Sequence, residues 1–121
     1  MDLELTPLRG LAELEQVITH SHEQPVMLFK HSYTCGISAE ALDELRAHVD
    51  GHPAGTAGVR YAIVTVQTHR DVSNAIASKL GIRHETPQAI LVLNGRAVWS
   101  ASHFRVNVVE LKKALASVLS V

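Results

Sequence analysis

The chain has 121 residues, of which 46% are hydrophobic and 19% charged, with a formal net charge of −1. This length and composition are typical of one globular domain, so we predict a single domain over residues 1–121. Without a block of basic residues, there is no electrostatic reason to expect nucleic acid or an anionic membrane as a partner. The acidic start Met1-Asp2-Leu3-Glu4 differs from a secretory signal, and the apolar runs are too short to span a membrane. We therefore expect a cytoplasmic location.

The first half of the chain alternates between strand-like and helix-like segments. Leu3 to Leu5 is a candidate edge strand, and Thr6-Pro7 is predicted to begin a helix. The apolar run Pro25 to Phe29 predicts a central strand that is covered on both faces. After Cys35 the period of the apolar residues becomes helical, which predicts a second helix carrying Ile37, Ala41, Leu42, Leu45 and Val49.

A Gly/Pro loop over Asp50 to Gly58 leads to a second β-rich stretch, Val59 to Val66. Asp71 is then predicted to cap a third helix, and Gly81 is predicted to stop it. The six histidines His20, His22, His48, His52, His69 and His84 fall in predicted loops or helix ends, where we expect them to be solvated.

The last third of the chain predicts a hairpin followed by a helix. Gln88 to Leu93 and Arg96 to Ser102 flank Asn94-Gly95, which is the strongest short hairpin signal. Asn107 and Glu110 have the spacing of a capping box, which predicts the last helix.

The predicted element order is therefore (β)αβαβαββα. Alternating strands and helices imply parallel strand pairs with helices on both faces, and the late hairpin adds an antiparallel edge. This is the thioredoxin topology: an α/β, thioredoxin-like fold with a central mixed sheet and helices on both faces. Ligands of such sheets bind beyond the carboxyl ends of the strands. Cys35 lies at such an end.

Cys35 is the only cysteine, so no internal disulfide can form. Its predicted place at a helix N-terminus favours the thiolate, which is the nucleophilic form. Lys30 or His31 could add positive charge, although strand alternation puts them on opposite faces and only one can help. A buried structural cysteine is the alternative interpretation. The polar character of its neighbours argues against that alternative; these are Ser32, Tyr33, Thr34, Gly36 and Ser38.

Ser38 stands three residues after Cys35, where a dithiol thioredoxin carries its second cysteine. A Cys-x-x-Ser site can attack a disulfide but cannot resolve the resulting mixed disulfide internally. The second step therefore requires an outside thiol.

The hairpin predicts a second part of the site. A two-residue turn pairs residues whose numbers sum to 189, so Pro87 is predicted to lie opposite Ser102, and Thr86 opposite His103. In the thioredoxin fold a cis-proline at this place packs against the active cysteine, so we predict a cis bond before Pro87. The residue before it, Thr86, offers backbone groups to a substrate strand. We expect no metal site, because a structural zinc needs four close ligands and there is no second cysteine to anchor one.

Three segments resemble the bacilliredoxin family of YtxJ type, which are monothiol, thioredoxin-like proteins of the bacillithiol system. The segments are Phe29 to Ser38, Leu80 to Gln88 and Trp99 to His103, and the resemblance runs from about Pro25 to Leu115. It implies a thiol–disulfide oxidoreductase that removes bacillithiol from S-bacillithiolated client proteins.

Under this interpretation Cys35 is the catalytic residue, and Lys30 and His31 are candidates for stabilising its thiolate. The residues expected to position the substrate are Thr34, Gly36, Ser38, Thr86, Pro87 and His103. We expect no tightly bound cofactor, with bacillithiol acting as a co-substrate. The expected partners are the small thiol and S-thiolated client proteins, and the protein is expected to be a monomer or a weak dimer.

Gly36 departs from the family pattern, which usually has proline there. Cys-Gly-x-Ser is similar to the site of monothiol glutaredoxins, which bind an iron–sulfur cluster with glutathione. Those proteins carry a Gly-Gly-x-Asp-like segment where this chain has Ser100 to His103. An iron–sulfur carrier is therefore one alternative, and a non-catalytic thioredoxin-like stress or interaction domain is another.

Overall fold

The strands and helices predicted from the sequence are present in the computed structural model, which describes residues 5–51 and 58–118. A 3₁₀ helix, His103–Arg105, adds to them. In chain order the elements are β1 Leu5–Pro7, α1 Leu11–His20, β2 Val26–His31, α2 Gly36–Gly51, β3 Arg60–Thr65, α3 Arg70–Leu80, β4 Gln88–Leu93, β5 Arg96–Ser102 and α4 Val108–Val118. Of the described part of the chain, no helix is long and apolar enough to cross a membrane.

The five strands form one mixed sheet in the order β1-β3-β2-β4-β5. The β1, β2 and β3 strands are parallel, and β4 is antiparallel to both β2 and β5. Both strands of the hairpin are therefore paired antiparallel to their neighbours, whereas the sequence predicted an antiparallel edge only. The reason is that β4 begins at the end of the sheet where β2 finishes and runs back along it. Gln88, the first residue of β4, pairs with Lys30 near the end of β2. This direction brings Pro87 to the end of the sheet that leads to Cys35.

Alternation along β2 divides the core into two layers. Met27 and Phe29 face α2 and α4, whereas Val26 and Leu28 face α1 and α3. The helices on the two sides shield both faces of β2 from solvent, so every residue from Val26 to Lys30 is buried. The prediction of a central strand covered on both faces is confirmed.

Two predicted helix starts are wrong. Thr6 and Pro7 belong to β1, and the first helix begins only at Leu11. Proline is tolerated in β1 because this is an edge strand, where a missing N–H need not break the ladder. Asp71 lies inside the first turn of α3, whose N-cap residue is His69. Gly81 does end α3, with the positive φ of 64° that favours glycine at this position.

The hairpin strands have the predicted bounds, but their register differs. Asn94 and Gly95 both have positive φ, as the tight turn requires. A β-bulge follows the pair Val92–Ala97 and leaves Val98 without a partner. From there on the register is shifted by one residue, so that Gln88 lies opposite Ser102. The backbone N–H of His103 donates to the carbonyl oxygen of Pro87 over 3.0 Å. The predicted pairings of Pro87 with Ser102 and of Thr86 with His103 are therefore each one residue out, and His103 lies opposite Pro87.

The loop predicted over Asp50 to Gly58 lies largely outside the described residues, as does Leu3 of the predicted edge strand. The described part of this region shows that α2 continues to Gly51. Asn107 makes its half of the predicted capping box at the start of α4, because its Oδ1 accepts the N–H of Glu110 over 3.0 Å.

Candidate active site

Cys35 lies between the end of β2 and the start of α2. Its backbone N–H donates to the Ser32 carbonyl oxygen over 3.3 Å, and its own carbonyl accepts the N–H of Ala39 over 3.1 Å. Cys35 is therefore the N-cap residue of α2, and its side chain is half-buried. The first N–H groups of a helix lack partners within it, so this end of α2 favours a negative charge.

Ser38, at the position of a resolving cysteine, is part of the support for this turn. Its side chain is fully buried. Its hydroxyl oxygen accepts the Ser32 N–H over 2.9 Å and lies 2.8 Å from His31 Nδ1. Ser38 thus joins the end of β2 to the first turn of α2.

Gln67 makes a second tie to the same turn, and the sequence did not point to it. Its amide nitrogen donates to the hydroxyl oxygens of Ser32, over 2.6 Å, and Thr34, over 3.1 Å. Its amide oxygen accepts the Tyr33 N–H over 3.3 Å. The available signal was that Gln67 follows β3, since the carboxyl ends of the neighbouring parallel strands β2 and β3 meet at one edge of the sheet.

Lys30 and His31 face opposite sides of the sheet. Lys30 is fully buried, and its Nζ lies 3.1 Å from Nδ1 of His84. Burial lowers the pKa of Lys30 to about 8, so the ammonium form still predominates at pH 7. Burial, followed by the positive charge of Arg46, lowers the pKa of His31. At neutral pH the neutral form of His31 therefore predominates, so of these two residues only Lys30 carries a positive charge.

The bond between Thr86 and Pro87 is cis, as predicted. Pro87 is buried and Thr86 is half-buried. His103, which opposes Pro87, is half exposed and has a positive φ of 57°. Its Nδ1 lies 3.7 Å from Glu85 Oε2, the same oxygen that accepts the Ser102 hydroxyl over 2.9 Å. Glu85 therefore connects the loop before Pro87 to the end of β5.

Thr34 and Gly36, which flank Cys35, are both exposed. A Cβ built on Gly36 meets nothing within 4 Å, so a side chain would fit there. This open surface on either side of the cysteine is available to an incoming disulfide.

One histidine prediction is wrong. His48 is buried, and its Nε2 lies 3.3 Å from the Tyr61 hydroxyl. It lies on the face of α2 that packs against the sheet, which the predicted helix end did not reveal. His20, His22 and His84 are exposed, His69 is half-buried, and His52 lies outside the described residues. Within residues 5–51 and 58–118, no three His, Cys, Asp or Glu side chains are grouped so as to hold a metal ion.

The arrangement as a whole supports nucleophilic thiol chemistry. One half-buried thiol stands at a helix N-terminus, and the hydroxyl of Ser38, three residues on, is already engaged by the Ser32 N–H. Such a thiol can form a mixed disulfide, and the chain has no second cysteine to release it.

Comparison with known proteins agrees with this chemistry. The family model described as "Monothiol bacilliredoxin BrxC" matches residues 6–111. A solved structure provisionally described as an oxidoreductase with a thioredoxin fold is 35% identical, with a TM-score of 0.79 over 91% of this chain and 92% of that chain.

More distant matches share the fold. The thioredoxin of Fasciola hepatica is 18% identical, with a TM-score of 0.71 over 93% of this chain and 98% of that chain. Mitochondrial thioredoxin 3 from Saccharomyces cerevisiae is also 18% identical, with a TM-score of 0.69 over 93% and 94%. At this level of identity these two structures show a thioredoxin fold.

Proposed function

Because this chain belongs to the monothiol bacilliredoxin family and is a thiol–disulfide oxidoreductase, we propose that it removes bacillithiol from mixed disulfides on client proteins. The proposal rests on two features seen together: Cys35 lies at the N-terminus of α2, and the residue at the resolving position, Ser38, is a buried serine. We further propose that the protein acts in the cytoplasm, as a monomer or a weak dimer.

In the first step the Cys35 thiolate attacks the bacillithiol sulfur of the client's mixed disulfide. The bond between bacillithiol and the client breaks, and a new disulfide joins Cys35 to bacillithiol. The client leaves as a thiolate and takes a proton from water. The N-terminus of α2 favours the attacking thiolate, since it stabilises negative charge.

In the second step another thiolate attacks the bacillithiol sulfur on Cys35. A second bacillithiol molecule yields bacillithiol disulfide and returns the Cys35 thiolate. Ser38 cannot take this role, because a hydroxyl does not exchange with a disulfide. The electrons for each turnover therefore come from the small-thiol pool.

The experiment is a single turnover with a purified client protein that carries bacillithiol on one cysteine. We expect intact-mass spectra to show the client losing the adduct while the protein gains one bacillithiol on Cys35. Free bacillithiol should then remove that adduct. Cys35→Ser is the control and should transfer nothing.

Two outcomes would contradict the proposal. One is an adduct that stays on the client when the Cys35 thiol is shown to be reduced and alkylatable. The other is an iron–sulfur absorbance spectrum from anaerobically purified protein, which would favour the cluster-carrier alternative.

A further inference from the structure

A groove with a volume of about 390 Å³ lies beside the active site, between α2 and the segment 103–107. It begins at Ile37, two residues after Cys35, and continues along the face of α2. Its apolar lining includes Ala41 and Val106, and the wall opposite α2 is formed by His103 and Phe104. A polypeptide bound through a disulfide at Cys35 can extend along this surface without leaving the protein.

The α2 side of this groove is acidic. Glu40, Asp43 and Glu44 line it, because they follow Ile37 at helical spacing. The Glu44 carboxylate accepts the N–H of Val108 over 3.0 Å and so caps α4. Glu40 and Asp43 are exposed, and among the described residues neither has an ion-pair or hydrogen-bond partner. Two carboxylates are thus open to a positive charge from outside.

The opposite wall carries an exposed aromatic ring. Phe104 is 68% exposed, and it lines the groove rather than the core. An aromatic face attracts cations, and a guanidinium also stacks on it. A groove with two unpaired carboxylates and an exposed ring therefore has the chemistry that recognises an arginine side chain.

We propose that this groove binds the client polypeptide and selects clients with an arginine near the thiolated cysteine. This inference rests on the proposed function, because it concerns the protein half of the mixed disulfide. The acidic wall disfavours bacillithiol as occupant, since that thiol itself carries carboxylates, which Glu40 and Asp43 would repel.

The helix geometry sets the spacing of that arginine. With a rise of about 1.5 Å per residue, Glu40 and Asp43 lie about 8 and 12 Å along α2 from Cys35. An extended peptide covers about 3.3 Å per residue. The recognised arginine therefore lies about two to four residues from the client's cysteine.

The test uses three peptides that carry one cysteine in a mixed disulfide with bacillithiol. They differ only in the residues three positions before and after the cysteine, which are both Arg, both Gln or both Glu. We expect the first-step rate to follow the order Arg, Gln, Glu, with roughly tenfold between the extremes at low salt and less at high salt.

Variants assign the preference to the groove. In the double variant Glu40→Gln/Asp43→Asn the three peptides should react at similar rates, and Phe104→Ser should reduce the preference for arginine. Glu23→Gln is the control, because it removes one exposed carboxylate near the start of β2, at the opposite end of that strand from Cys35. It should keep the wild-type order.

The outcomes separate the two proposals. Equal rates for the three peptides with the wild-type protein would overturn the groove assignment and leave the proposed function standing. An order that survives in the double variant would also overturn it. Transfer from none of the peptides would overturn the proposed function itself. The wild-type series decides the question even if a variant does not fold.

Discussion

The side-chain amide of Gln67 donates a hydrogen bond of 2.6 Å to the Ser32 hydroxyl and so joins segments 35 residues apart. The same amide group contacts Tyr33 and Thr34. One side chain from the β3–α3 loop therefore holds the turn that leads to Cys35. The place of the cysteine at the start of α2 depends on this contact as well as on its own neighbours in sequence.

Replacing Gln67 should slow the chemistry of Cys35. In Gln67→Met, which keeps the volume but makes no hydrogen bonds, we expect Cys35 alkylation at pH 7 to slow about three- to tenfold, the equivalent of one net hydrogen bond. The pH at which the alkylation rate of Cys35 reaches half of its maximum should also shift. A loss of stability alone would not cause such a shift. Thr68→Ala is the control, since the Thr68 hydroxyl bonds only within its own loop. An unchanged pH profile in Gln67→Met would contradict the positioning role.

Replacing Ser38 by cysteine should convert the protein to dithiol behaviour. Oxidised wild-type protein should accumulate a small-thiol adduct, or a Cys35–Cys35 dimer under harsh oxidation, because there is no second thiol in the chain. Oxidised Ser38→Cys should instead lose two hydrogens in an internal disulfide, visible by intact mass. Ser73→Cys is the matched control, since Ser73 is equally buried but lies on α3. If Ser38→Cys oxidised like the control, the assignment of position 38 as the resolving position would be wrong.

Lys30 gives a pH dependence of stability. Burial lowers its pKa from 10.5 to about 8, so between these values the unfolded chain binds more protons than the folded protein. Stability attributable to Lys30 therefore rises as pH increases through about 8 and is at its lowest below that pH. We expect Lys30→Met to be more stable than wild type at pH 7, by about 1–2 kcal/mol after allowing for the lost bond to His84.

The measurement is urea unfolding of both proteins at pH 7 and at pH 10. The advantage of Lys30→Met should shrink at the higher pH, because the wild-type lysine is then neutral when folded. Groups common to both proteins cancel in the comparison. A constant difference across this range would show that burial does not penalise the Lys30 charge.

His103 should affect the second step of the reaction. It opposes Pro87 and is half exposed, and asparagine tolerates its positive φ. We expect His103→Asn to change the free energy of unfolding by less than about 0.5 kcal/mol. Removal of bacillithiol from Cys35 should slow severalfold, because the exposed His103 ring, on the wall opposite the acidic residues, can donate to the carboxylates of the incoming thiol. Transfer from a client peptide with Gln flanks should not slow, because such a peptide has no charge for the groove to recognise. Arg105→Gln, on the same 3₁₀ helix, is the control. Equal slowing of both steps would contradict a role specific to the small thiol.

Much of the fold follows from local patterns. The bounds of β4 and β5 were predicted residue by residue, because Asn94-Gly95 sets a two-residue turn and both strands run out from it. Gly81 ends α3 as expected, because its left-handed conformation is a property of the single residue. The bulge at Val98 was not predicted. Val98 is exposed on an edge strand, so the extra residue does not disturb the pattern of buried and exposed residues from which the register was inferred.

The sequence by itself predicted that the chemistry centres on Cys35, because that residue is the only cysteine and stands between a buried strand and an amphipathic helix. It also determined the monothiol character, through Ser38. Only the tertiary structure decided which contacts form around this segment. These are the hydrogen bonds of Gln67 to the turn before Cys35, the contact of buried Lys30 with His84, and the backbone hydrogen bond between His103 and Pro87. These contacts join residues that are far apart in the chain. They depend on which strand ends meet and in which register, and that is set by packing of the whole sheet rather than by any local run of residues.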